Sequence, residues 1–369
     1  MKNTILAFCC ILLQQPLFAE NKDWLIDGSP YKTEVNLSSD KKQIELTNGL
    51  LRRSFSLTPN GATIALDNLM TGQNELRAVR PEAVLVINGK EYPVGGLEGQ
   101  PVHNFLTKDF LSGMQLCDSA FVLAGYTVSE TKERFPWKPN EAWISNRYPW
   151  PVPGKRITFT YRAPRKIVDE CKGLTIRIVY ELYDGAPILS KWIEIENNGQ
   201  KAVTLDSFKS EVLALVETRP KVHYGEPHEV RMMAQKTGYY TEDYRKRPVQ
   251  TDAPRDYIDR FTQLFVVTDY AMGGDMEAMK DNPAVRWVFD HPEYEFTGIR
   301  YYGQYKPARL EVTPLLGPAE EIAPGESFTS CRASNAPRCD RPGKTRTCRV
   351  SILAHDGSLG HRRIRSLCT

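Results

Sequence analysis

The sequence predicts an all-β protein: one large antiparallel β-supersandwich with an irregular C-terminal tail. Three observations carry that expectation. First, Ile176–Asn198 reads as two alternating strands joined by an Asp184-Gly185-Ala186-Pro187 turn. Ile188, Ser190, Trp192 and Glu194 fall on one side of the second arm, and Leu189, Lys191, Ile193 and Ile195 on the other. Period-two alternation about a Gly/Pro turn marks a half-buried antiparallel hairpin. Second, the same grammar repeats from Asn36 to Ser330, with turn signals about every 8–12 residues, as in sandwiches. Third, no segment shows a long amphipathic stripe or the βα alternation of a (β/α)8 barrel, which would need ~250 residues by itself.

Taken in order, Gln43–Asn48, Leu50–Leu57 and Thr63–Asn68 are the first strands, with Pro59-Asn60-Gly61 as a turn. Ala83–Ile87 and Glu91–Val94 flank Asn88-Gly89, a strong two-residue hairpin signal. Phe121–Thr127, Ile157–Arg162, Leu174–Tyr183, Ile188–Glu196 and Ala202–Val216 follow, then Phe261–Thr268, Val285–Phe289, Ile299–Tyr302 and Arg309–Leu315. Ala323-Pro324-Gly325 turns into a last strand from Glu326. Val230–Ala234 and Ala271–Met279 are candidate short helices, and the Pro-rich span Pro136–Pro153 reads as a surface loop.

The ends differ from the body. Lys2, the apolar run Ile5–Leu13 and Leu17-Phe18-Ala19 before Glu20 read as a secretory signal peptide over 1–19. A periplasmic or extracellular location is therefore expected. Phe8 stands where lipid attachment at Cys9 or Cys10 would need a small residue, and no apolar segment approaches the ~20 residues of a membrane span. Residues 20–35 lead into the domain at 36–330. Nine Lys or Arg and two acids lie from Ser330 onward, leaving residues 1–329 with 39 basic and 43 acidic residues. The body is near-neutral with no basic stripe, which argues against nucleic acid as a partner.

Of eight cysteines, Cys331, Cys339, Cys348 and Cys368 crowd the end, while Cys117 and Cys171 alone occupy the body. Spacing leaves a Cys117–Cys171 bridge open. No CxxC pair or zinc-type Cys/His spacing occurs, so neither metal nor cofactor is expected. The segment 331–369, rich in Arg, Ser, Cys and Pro, reads either as a basic, partly disulfide-bonded tail or as an out-of-frame continuation. Its abrupt break from the orderly IAPGESFTS favours the second.

Candidate chemistry concentrates in the loop FPWKPNEAWISNRYPWPVPG, which holds Trp137, Trp143 and Trp150. Sugar rings stack apolar faces on aromatics while their hydroxyls bond polar side chains. Glu141 and Arg147, with Arg134, Lys138 and Asn146, supply such polar groups. The competing reading has these aromatics anchor the loop to the sheet. Trp192, alternating within a strand, reads as core. Glu181, Asp184, Glu194, Glu196 and Glu211 are the strand carboxylates available for acid/base work, with Asp184 better explained as a turn residue. His223 and His228, beside Glu226 and Glu229, are a further acid/base or metal candidate, weighed against an ordinary loop role. No phosphate loop, nucleophile elbow or HExxH motif is present.

The segments LTNGLLRRSFSLTPNGATIALDNLMTG (46–72), RPEAVLVINGKEYPVGGLEGQP (80–101), YELYDGAPILSKWIEIENNG (180–199) and IAPGESFTS (322–330) resemble a known module. They are similar to the N-terminal β-supersandwich of bacterial melibiase-type α-galactosidases over residues 36–330. Galactose-mutarotase-like sandwiches share the hairpin style of Tyr180–Pro187. The resemblance implies a sandwich that precedes a catalytic barrel carrying both catalytic aspartates. No barrel follows Ser330 in this sequence, so no catalytic residue is carried over; the sandwich's pocket-framing aromatic loop corresponds in character to Trp137–Trp150. The expected function is an exported carbohydrate-associated module of an α-galactosidase-like glycoside hydrolase, truncated before the barrel and without catalysis by itself. Its partner would be a galactoside-type glycan or a catalytic barrel domain. The alternatives are an autonomous mutarotase-, epimerase- or lyase-like enzyme using sheet carboxylates and histidine, and a purely structural module.

Overall fold

A computed structural model describes residues 23–101, 106–136, 149–163, 171–215, 264–269, 284–289, 308–314 and 316–337. The expected signal peptide, both candidate helices, the strand expected at 299–302 and residues beyond 337 lie outside them. Along the chain the described strands are β1 (Glu34–Leu37), β2 (Gln43–Thr47), β3 (Leu51–Ser56), β4 (Ala62–Asn68), β5 (Gln73–Asn74), β6 (Leu76–Ala78), β7 (Ala83–Ile87) and β8 (Lys90–Val94). A short helix α1 (Lys108–Gly113) comes next, followed by β9 (Val122–Glu130), β10 (Gly154–Arg162), β11 (Leu174–Tyr183), β12 (Leu189–Asn197), β13 (Val203–Lys209) and β14 (Glu211–Leu215). The rest are β15 (Leu264–Thr268), β16 (Val285–Phe289), β17 (Ala308–Val312), β18 (Glu320–Ile322), β19 (Ser327–Thr329) and β20 (Ala333–Pro337).

These strands form four sheets. One runs β1-β2-β3-β4-β5, another β18-β13-β7-β8 and a third β16-β17-β14-β6. The largest runs β15-β20-β12-β11-β10-β9, with β19 also on β12. The turns explain the local pairing. Asn88 and Gly89 adopt φ of 50° and 75°, the left-handed pair of a type I′ turn whose twist matches the strands it joins. Asp184 fixes the turn between β11 and β12: it accepts from the Thr33 N–H at 2.8 Å and pairs with Lys32 at 3.1 Å. Despite some burial, these bonds hold its carboxyl below the usual range.

All four sheets pack around one apolar core. Phe55 from β3, Leu85 from β7, Ile178 and Ile193 from β11 and β12, and Leu213 from β14 belong to a single cluster. Phe55 lies 4.8 Å, centroid to centroid, from both Phe159 and Tyr180, in tilted contacts that suit aromatic quadrupoles. Alternation in the largest sheet follows the expectation. Leu189, Lys191, Ile193 and Ile195 face this core, whereas Glu194 and Glu196 on the other face are partly exposed.

The structure corrects the expected boundaries in three places. The long strand over Ala202–Val216 is two strands, because the chain leaves the β18-β13-β7 sheet and enters the β17-β14-β6 sheet at Ser210. The helix α1 was not expected; Thr107 caps it by accepting from the Phe110 N–H at 3.3 Å. The ordered sheet also extends past Ser330, since β20 inserts between β12 and β15. Cys117, Cys171 and Cys331 are not disulfide-bonded, so the bridge left open between Cys117 and Cys171 is not formed.

One buried acid gives a pH prediction. Glu75 is 2% exposed and its Oε1 has no hydrogen-bond partner. Burial, reinforced by the nearby Asp67 charge and opposed by a bond from Asn68, pushes its carboxyl up to about 8. The folded state therefore binds a proton that the unfolded chain, titrating near 4.5, has released. Stability from this group is full below pH 4.5 and is lost as pH rises toward 8, at about 1.4 kcal/mol per unit. Glu75→Gln should gain over the parent steadily from pH 5 to pH 8 in thermal melts; a constant difference would refute the assignment.

Candidate functional site

Two polar clusters stand on opposite faces of the largest sheet. The inner one is closed. Arg53 of β3 makes a two-pronged pair with Glu211 of β14, at 2.9 and 3.1 Å. Lys191 reaches Glu211 at 2.7 Å and the Glu82 carbonyl at 2.5 Å, and Asn335 donates to Glu211 at 2.9 Å. The Tyr180 hydroxyl and the Thr63 N–H both donate to the Glu82 carboxylate. Arg53, Glu82, Lys191 and Glu211 are no more than 1% exposed at their side chains. Two cations balance two anions. Although burial opposes ionisation, the Arg53 and Lys191 charges hold the Glu211 carboxyl down at about 2. A charge-neutral cluster without solvent access joins sheets and has no free acid or base, although Asn335 Oδ1 is left without a hydrogen-bond partner. Glu211 is thereby removed from the acid/base candidates.

The outer cluster is buried along its row and reaches solvent only at its edge, where Arg156 and Arg332 keep 13% and 12% of their side chains exposed. The cross-strand row Arg156–Glu181–Ser190–Ser334 follows from the registers of β10, β11, β12 and β20. Glu181 Oε1 accepts from Arg156 at 2.8 and 2.5 Å and from the Lys132 N–H at 3.4 Å. Its Oε2 lies 3.1 Å from the Tyr183 hydroxyl and 3.3 Å from Arg332. Ser190 Oγ continues the chain to Tyr183 at 3.1 Å and to Ser334 at 2.8 Å. Burial beside Glu181 keeps the Tyr183 phenol protonated well above its usual range. Arg332 and Arg156 pack over the Trp192 ring at 4.0 and 5.1 Å, a cation–π arrangement. Trp192 is 2% exposed, as a core reading expects, yet it is buried beneath guanidinium groups on the outer face.

Trp150 stands at the lip of this cluster. It is half-buried, its indole N–H donates to Glu133 Oε1 at 3.1 Å and the Phe135 carbonyl at 3.2 Å, and its ring lies 5.4 Å from that of Phe135. With Thr131, Arg134, Glu181, Tyr183, Ser190 and Arg332 it lines a recess of ≈ 20 Å³. That holds about one water, against ~300 Å³ or more for an enclosed ligand pocket. A larger ligand must therefore lie across the recess.

Of the expected sugar-binding residues only Trp150 falls among the described residues; Trp137, Glu141, Trp143 and Arg147 do not, nor do His223 and His228. The remaining strand carboxylates are engaged. Glu194 accepts from the Trp192 indole at 3.0 Å, and Glu196 pairs with Arg177. Sequence reasoning missed Arg332 and Asp269, which the fold brings together: Asp269 Oδ1 accepts from the Arg332 N–H at 2.5 Å, and Oδ2 forms an ion pair with Arg134. Among the described residues no three of His, Cys, Asp and Glu converge as metal ligands, and no helix is long and apolar enough to cross a membrane.

No protein-family model matches the sequence, and no curated protein matches it. Solved structures similar to it include the GH36 α-galactosidase AgaB of Geobacillus stearothermophilus, at 11% identity and a TM-score of 0.36, covering 84% of this chain and 41% of that one. The galactosidase domain of the α-galactosidase–sucrose kinase AgaSK matches at 10% identity and a TM-score of 0.39, covering 84% and 42%. A TPR-domain containing protein of Parabacteroides distasonis matches at 13% and 0.36, covering 84% and 49%. The chain thus spans less than half the length of each of these structures.

Proposed function

We propose that this chain is an exported, carbohydrate-associated β module of an α-galactosidase-like glycoside hydrolase. It holds a galactoside-type glycan across the outer sheet face at Trp150, and bond cleavage belongs to a catalytic barrel partner. The observation that carries this reading is Trp150 itself, a half-exposed ring fixed by two acceptors at the edge of a row of hydroxyl, carboxylate and guanidinium groups. That pairing of aromatic surface with polar edge suits a sugar ring. Trp137, Glu141, Trp143 and Arg147 belong to the same loop in sequence and are proposed as further sugar contacts. The likeness of segments 46–72, 80–101, 180–199 and 322–330 to melibiase-type sandwiches supports the galactoside assignment. Hydrolysis by the chain alone is disfavoured because Glu181, Glu194, Glu196 and Glu211 each have a partner already.

Isothermal titration of the full chain with an α-galactosyl trisaccharide should show binding that Trp150→Ala weakens about tenfold. A chromogenic α-galactoside should not be turned over. Absence of binding to any glycan would sink the platform, and ordinary turnover would sink the division of labour.

A further inference from the structure

We infer that β9 is an interface between two copies of this chain, paired antiparallel along its open edge. β9 ends the largest sheet: β10 pairs with one side of it, and no described strand lies along the other. The chain just before this edge is tied down. The Phe121 N–H bonds the Pro93 carbonyl at 2.9 Å, and the Leu123 N–H bonds Asn60 Oδ1 at 2.8 Å. From Ala124 to Ser129 no described group bonds the edge opposite β10. Edge strands are ordinarily kept from pairing by shortness, lysine, proline or a bulge. Val122–Glu130 is nine residues long and holds neither lysine nor proline, and its single charge, Glu130, is paired with Lys155. A bulge at Ala124 leaves Gly125–Glu130 as a regular run.

The side chains of that run define what fits it. Tyr126 and Val128 lie across from Phe159 and Ile157, on the core face. The Tyr126 ring is 6.3 Å from that of Phe159, whereas Val128 is 45% exposed although Ile157 beside it is fully buried. The core therefore opens at this edge, and a strand that closes it must bring apolar groups on the core face. β9 itself does so. A two-fold axis at Thr127, perpendicular to the sheet, sets Tyr126 opposite Val128 of the second copy and the two Thr127 side chains opposite each other on the outer face. Aromatic–β-branched and Thr–Thr pairs are favourable cross-strand neighbours, and the two cores become continuous. In this register the two Glu130 side chains stand ~20 Å apart, beyond the ~8 Å screening length; parallel pairing would set them side by side. About five residue pairs cover less than the ~800 Å² per partner of a standard interface, so the dimer should be weak, with a Kd on the order of 10–100 μM.

Sedimentation equilibrium of the full chain from about 1 to about 500 μM should find monomer and dimer in exchange. Thr127 is exposed, so Thr127→Lys and Thr127→Glu should melt like the parent. Each sets like charges face to face only in this register and should weaken dimerisation about tenfold. An equimolar mixture of the two should recover it as a heterodimer, because the facing charges are then opposite. A parent that stays monomeric at about 500 μM would overturn the inference. So would variants that dimerise as the parent does, which would place the contact elsewhere, or a mixture that recovers nothing.

Discussion

Glu211→Ala should destabilise the protein by about 3–5 kcal/mol, the usual cost of stranding buried charge, against a total stability of about 5–15 kcal/mol for a folded domain. Three donors lose their acceptor at once, Arg53, Lys191 and Asn335. Two cations then face Glu82 alone in a site closed to solvent. The parent should also lose stability in acid that the variant does not. Glu211 is held at about 2 against an ordinary 4.5, so its contribution is complete above pH 4.5 and disappears as pH falls toward 2, on the order of 3 kcal/mol in all. Urea melts at pH 7 and pH 3 measure both effects. The double variant Arg53→Met with Glu211→Leu leaves Lys191 and Glu82 as a neutral pair and should recover most of the loss. Should it unfold as readily as Glu211→Ala, the cluster would not be an electrostatic unit.

That cluster shows what could be read from the sequence. Period-two alternation located most strands and assigned faces correctly in β12, because one buried face forces a single register. The same alternation carried the signal of the inner cluster. In Leu51-Arg52-Arg53-Ser54-Phe55, Arg53 occupies an apolar-face position, and in Leu189–Ile195 so does Lys191. A charge at such a position must be paired inside. What one sequence does not show is the partner: Glu82, Glu211 and Asn335 reach the same point from segments far apart in the chain. The outer cluster was half legible for a related reason. Trp150 announced itself by composition, whereas Arg332 and Asp269 matter only because β20 lies beside β15.

Ending the chain after Ser330 should unfold the largest sheet, although the sequence from Cys331 onward lacks the grammar of a strand. Ala333–Pro337 carries no alternation of large apolar and polar residues, because its small side chains fill a slot between two strands that are already in place. Every residue of it is nonetheless buried. Its removal unpairs β12 from Leu189 to Lys191 and β15 along its whole length. It also takes Arg332 from Trp192 and Glu181, Ser334 from Ser190 and Asn335 from Glu211. Ser334→Pro makes the same case without shortening the chain. Proline in a strand paired on both sides removes a ladder bond and clashes with its neighbours, costing about 3 kcal/mol or more. Circular dichroism and urea melts should find the shortened chain unfolded and Ser334→Pro strongly weakened. A shortened chain with the parent's stability would mean that the sandwich closes without β20. Loss of the fold would show that the sandwich needs the chain at least as far as Pro337.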